Sequence, residues 1–145
     1  MTHTFHDRLQ TPQNGTEVER MVRQRVGQDI FRASLLDYWG GRCALSGLDE
    51  PQLLRASHIK GWAQCDSDQE RLDVFNGLLL AAHYDALFDS GWITFLDSGE
   101  IQISPHLKPQ NRKILGLTGA EVLRGLTAFH APYLQWHRTH WFRGA

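Results

Sequence analysis

Arg55-Ala-Ser57-His58-Ile59-Lys60, followed after a polar connection by Asn76-Gly-Leu-Leu-Leu-Ala-Ala-His83-Tyr-Asp85-Ala-Leu-Phe-Asp89, is the stretch that decides the fold. Leu53, Leu54 and Ala56 lead into His58, and Ile59 follows it. A short apolar run bounded by turn residues predicts a strand, so His58 is expected at a strand end. Gly61 and the polar run from Gln64 to Glu70 predict a loop. Asn76-Gly77 opens a second apolar run, Leu78 to Ala82, and the acidic residues come after it. Asp85 and Asp89 are four apart, which on a helix puts them on one face. Two carboxylates held side by side repel unless a cation sits between them, and hard divalent ions such as magnesium take carboxylate oxygens.

Together these residues resemble the HNH nuclease family. The resemblance implies a core of two strands and a helix around one metal ion. A His at the end of the first strand is then the general base, an Asn follows in the loop, and a metal-binding residue lies nine positions after the Asn. Some members, the nuclease colicins among them, add a ligand four positions further on. In this chain His58 matches the base and Asn76 the Asn; Asp85 stands nine after Asn76 and Asp89 four after that. The combined stretch is similar to the branch found in bacterial restriction-type proteins. The likeness covers roughly residues 28–103, and Gln28 with the Phe31-Arg32 pair also matches that branch. Two positions depart from the pattern. Ser57 precedes the base where Asp or His is usual, and Asp85 stands where many members have His. The ligand set implied is therefore Asp85 and Asp89, with Ser57 and His83 as further candidates, His83 only if the helix begins late.

The remaining expectations follow from composition and order. A chain of 145 residues with 41% hydrophobic and 21% charged residues is ordinary for one domain with a real core. The expected division is a flexible terminus over 1–15 and a single nuclease domain over 16–145, its core at about 42–103. The expected fold class is α+β: a ββα-metal core with an added β-hairpin, flanked by a long N-terminal helix and C-terminal helices. No apolar run approaches the ~20 residues of a membrane span, and the N-terminus lacks a signal-peptide stretch, so no membrane partner and a cytoplasmic site are expected. Cys43 and Cys65 cannot make a four-cysteine zinc site. Cys43-Ala-Leu-Ser46 keeps one Cys of a knuckle and has Ser for the other, so no structural zinc is expected.

Net charge is −1, yet residues 106–145 hold six Lys or Arg and one acid, leaving the rest at −6. That asymmetry suits a basic binding face beside an acidic metal site, although a plain solvated surface would give the same count. Arg32, Arg55 and Lys60 are the candidate phosphate contacts; the bland alternative is pairing with Asp29, Glu17 and Glu19 for Arg32 and a plain surface role for Arg55 and Lys60.

Thr16 to Glu19 is a capping-box pattern opening a helix that Gly40-Gly41 ends. Residues 42–45 predict a short strand, 92–96 with 101–103 a hairpin, and Pro105 with Pro109 a loop. Thr118 to Glu121 predicts a second capped helix, and Pro132 opens a last one. His137 and His140 have no evident acidic partner, so they are expected to be structural or phosphate-facing.

The function implied is metal-dependent cleavage of DNA, with restriction or defence as its setting. The cofactor would be one divalent ion, magnesium first, with manganese, nickel or zinc open. A site degenerate in catalysis but still binding DNA is the alternative, a purely structural role is a third, and a homodimer stays open.

Overall fold

The structure, a computed structural model, describes residues 15–145. The loose terminus expected over 1–15 therefore falls, apart from Gly15, outside the described residues. Helix α1 spans Gly15–Tyr38 and runs unbroken through Gly27. Phe31 and Leu35, one turn apart, are buried on one face of the helix, and Val22 is buried on another, nearer its start. Gly40 and Gly41, both at positive φ (65° and 71°), stop it, and Gly41 N–H closes back on Leu36 O at 2.8 Å.

Strand β1 (Leu54–His58) pairs antiparallel with β2 (Gly77–Ala81), in a register that sets His58 opposite Gly77. Between them lie the short helix α2 (Asp68–Leu72) and two single 3-10 turns. Ser67 caps α2 by accepting from Glu70 N–H. All five residues of β2 are buried. Helix α3 (Ala82–Asp89) follows β2 at once and packs on β1. A second hairpin, β3 (Ile93–Phe95) with β4 (Ile101–Ile103), is antiparallel and joined by a Gly99 turn. Phe95 is fully buried and Trp92 partly so. Helices α4 (Pro109–Leu115) and α5 (Ala131–His140) complete the chain. The architecture is mixed helix and antiparallel sheet, with one apolar cluster joining Phe31, Leu35, Leu54, Leu78 to Leu80, Phe88, Phe95 and Leu134. Among the described residues no helix is long and apolar enough to cross a membrane.

Four expectations fail locally, the first being the loop read from Gln64 to Glu70, whose end is helix α2 from Asp68. Residues 42–45 form a turn rather than a strand: Ala44 N–H gives one bond to Leu79 O (2.7 Å), and no ladder follows. Pro109 is the first residue of α4, not part of a loop; at a first helical position its missing N–H costs nothing. Residues 118–121 open no helix. The Glu121 carboxylate instead accepts from Thr118 and Gly119 N–H at 2.8 Å each. Residues 121–123 then run beside the hairpin, where Val122 bridges Glu100. The carboxylate thus satisfies N–H groups of the turn itself, and no helix needs its cap.

Candidate active site

β1 delivers Arg55, Ser57 and His58 to the site. Side chains alternate across a strand, and the environments differ accordingly. Ser57 is buried and, with Arg55, acts on Asp85; the His58 imidazole turns toward α1. It stacks on the Phe31 ring at 3.7 Å between centroids and 11° between planes. The indole of Trp62 meets it edge-on at 5.8 Å. His58 Nε2 lies 2.8 Å from Arg71 O. A carbonyl only accepts, so Nε2 carries the proton and Nδ1 keeps a free lone pair. Burial lowers the imidazole pKa below its ordinary value; the Arg71 carbonyl and the charge of Asp89 oppose that shift without cancelling it. The ring is therefore neutral at pH 7, and Asp89 is the acid whose field reaches it.

Asn76, fully buried, closes the loop between β1 and β2. Its Oδ1 accepts from Lys60 N–H at 2.8 Å, and its Nδ2 donates to Lys60 O and Glu70 O at 3.1 Å each. Asn76 O accepts from Ile59 N–H at 3.0 Å. The residue after the imidazole is tied to the far end of the loop by backbone and side chain alike.

α3 carries Asp85 and Asp89 one turn apart. Asp85 is half-buried, and burial raises its pKa; the neighbouring charge of Asp89 raises it further, while the Ser57 hydroxyl and Arg55 pull it down. Ser57 Oγ lies near that carboxylate, but without closing a bond of good geometry it stays a buried hydroxyl with no partner. Among the described residues no three His, Cys, Asp or Glu side chains are grouped to hold a metal ion. What is present is a repelling carboxylate pair and an orphaned hydroxyl. That donor set of hard oxygens suits a cation that keeps several waters and also takes phosphate oxygens, as magnesium does. It does not make a closed zinc cage.

The other candidates are placed as follows. α3 starts at Ala82, so the late start that would recruit His83 does not occur; its ring is exposed and rests on Tyr84 at 4.0 Å. Arg32 is committed to the backbone, donating to Leu54 O (2.9 Å) and Pro51 O (2.8 Å). Lys60 Nζ stands 3.2 Å from both Asp66 Oδ2 and Glu70 Oε1. Arg32 braces the strand start through backbone carbonyls rather than pairing with an acid, and Lys60 is held between two acids of the loop, so neither offers phosphate a free charge. Arg55 donates to Gln52 O and Leu54 O yet stays exposed at the rim beside Asp85.

The basic C-terminus is likewise partly spent on structure. His137 is buried, stacked on Phe88 at 3.9 Å, with Nε2 donating to Phe88 O (2.9 Å) and Nδ1 accepting from Thr94 Oγ1 (2.8 Å). Trp141 Nε1 donates to Asp89 O (2.6 Å), Arg143 Nε to Ser90 O (2.8 Å), and Arg143 N–H to Gly91 O (2.9 Å). These donors satisfy the carbonyls at the C-terminal end of α3. Arg138 pairs with Asp97 at 2.9 Å.

Sequence reasoning missed Arg71, whose guanidinium donates to Trp62 O (3.0 Å) and Cys65 O (3.2 Å) and whose carbonyl holds His58. A backbone acceptor leaves no trace in residue type.

Residues 43–96 match a model of the HNH endonuclease family. The match covers 54 of the 145 residues. The HNH segment runs from the turn at Cys43 through β3, and so includes His58, Asn76, Asp85 and Asp89 but neither α1 nor α5. No curated protein matches the chain.

Proposed function

We propose that residues 16–145 act as one metal-dependent endonuclease domain that hydrolyses phosphodiester bonds in DNA, with β1, β2 and α3 as its ββα-metal hook. The observation that carries this is the state of His58: neutral, with Nε2 engaged and Nδ1 free, on the strand that also packs against the helix of Asp85 and Asp89. Nδ1 takes a proton from a water molecule, and that water attacks phosphorus as the bond to the leaving oxygen breaks. Asp85 and Asp89 would hold one divalent ion, with the Ser57 hydroxyl alongside. Bound there, the ion supplies positive charge against the phosphate and the leaving oxygen. Asn76 keeps the loop closed, so that the imidazole does not drift. Arg55 offers the rim a positive charge for the backbone. A restriction or defence role rests on the sequence likeness alone.

Nicking of supercoiled plasmid with magnesium, manganese, nickel or zinc tests the reading. The parent should nick with at least one ion, and His58→Ala should not, while keeping the same thermal unfolding. A parent that shifts DNA on a gel but never cuts it would make this a DNA-binding module with a spent site, the reading Ser57 favours. A His58→Ala variant that cuts as fast as the parent would remove the base from the mechanism.

A further inference from the structure

We propose that α1, outside the family match, supplies a positioning residue to the site: Phe31 holds the His58 imidazole face-on, and Gly77 lacks a side chain so that it can. The inference rests on the nuclease reading for its kinetic consequence and on geometry alone for the contact.

Phe31 is fully buried and nearly parallel to the imidazole at 3.7 Å. At that distance the two rings are in van der Waals contact over a face, so turning the imidazole would drive its edge into the phenyl ring. Trp62 blocks one edge and Arg71 O holds one nitrogen. Face, edge and nitrogen are fixed by three separate segments. The opposite strand makes room for this. Gly77 is the register partner of His58. A Cβ there would lie 2.4 Å from Phe31 Cζ and 2.9 Å from Leu35 Cδ2, closer than carbon atoms approach. Phe31 and Leu35, one helical turn apart, thus occupy the space a side chain at 77 would need. The helix cannot slide along the strand either, because Arg32 is bonded to Pro51 O and Leu54 O at the start of β1. The phenyl ring is locked to the strand that carries the base, and it settles where Nδ1 points.

Phe31→Leu keeps an apolar side chain in the slot and removes the flat face. Misplacing a catalytic group by about 1 Å can cost on the order of 100-fold in rate. The expected result is a kcat for plasmid cleavage lower by ~10-fold to ~100-fold, with KM for DNA and the calorimetric Kd for manganese within about twofold of the parent. In nuclear magnetic resonance spectra the parent should show a His58 Nε2 proton protected from water exchange, and the variant should lose it. If Phe31→Leu does not fold, Phe31→Met, whose flexible chain fills the same slot, carries the same comparison. A variant that keeps both the parent kcat and the protected proton overturns the proposal. So does one whose metal Kd and DNA KM worsen along with kcat, since that marks general loosening. A parent that cleaves nothing sinks the nuclease reading, while the proton signal still decides the positioning role.

Discussion

Asn76→Ala is the perturbation whose cost can be worked most directly from the structure. The amide makes three good hydrogen bonds in a fully buried position: one accepted from Lys60 N–H and two donated, to Lys60 O and Glu70 O. Alanine removes all three and leaves a backbone N–H and two carbonyls to find other partners. A net contribution of about 1 kcal/mol each gives a loss of about 3 kcal/mol, with the upper end set by how dry those groups remain. For a chain of this size a loss of 1 kcal/mol lowers Tm by about 3 °C, so the expected drop is about 9 °C. Thermal and urea unfolding followed by circular dichroism would measure it, with the midpoint moving and the m-value unchanged. Asn76→Asp is the control. It keeps an oxygen toward Lys60 N–H but turns a negative oxygen on two carbonyls, and should be at least as unstable. If Asn76→Ala melted within about 2 °C of the parent, the amide would not be closing the loop as described.

Two further outcomes are expected. Burial holds the His137 pKa down at about 4, against 6.5 for a free imidazole. Between those values the unfolded chain binds a proton that the folded one refuses, so stability should be intact above pH 6.5 and fall by up to about 3 kcal/mol toward pH 4. The stability gap between the parent and His137→Gln should narrow across that window; a gap independent of pH would refute the assignment. Asp85→Asn should weaken metal binding in titration calorimetry while leaving the metal-free protein no less stable, because it ends the repulsion with Asp89 on α3. Unchanged metal affinity would take Asp85 out of the ligand set.

What could be read from residues alone were the features that repeat along the chain. The apolar run ending at His58 and the second run after Asn76 each became a strand, β1 and β2, and the i, i+4 acids lie on α3. The hairpin of β3 and β4 was legible in the same way. What was not legible depends on which atom meets which across long separations. Arg32 and Lys60 look like free cations in a sequence; in the fold one feeds two carbonyls and the other sits between two acids. The capping pattern at Thr118 was real as a hydrogen-bonding preference, but it served a turn. Phe31 could be flagged as part of the likeness, yet nothing in its spacing says that its ring lies on an imidazole 27 positions away.

The tail's grip on the last turn of α3 has a consequence for how damage to this chain would show itself. Residues 137–143 supply the donors for carbonyls at 88–91, the stretch that also bears Asp89. A premature stop codon near position 130 would spare every residue of the HNH segment and still leave that acid on a fraying end. On the ligand assignment proposed above, such a product would retain the whole recognisable motif and lose one of the acids meant for the ion, so an intact motif in a shortened reading frame is no guarantee of a working nuclease.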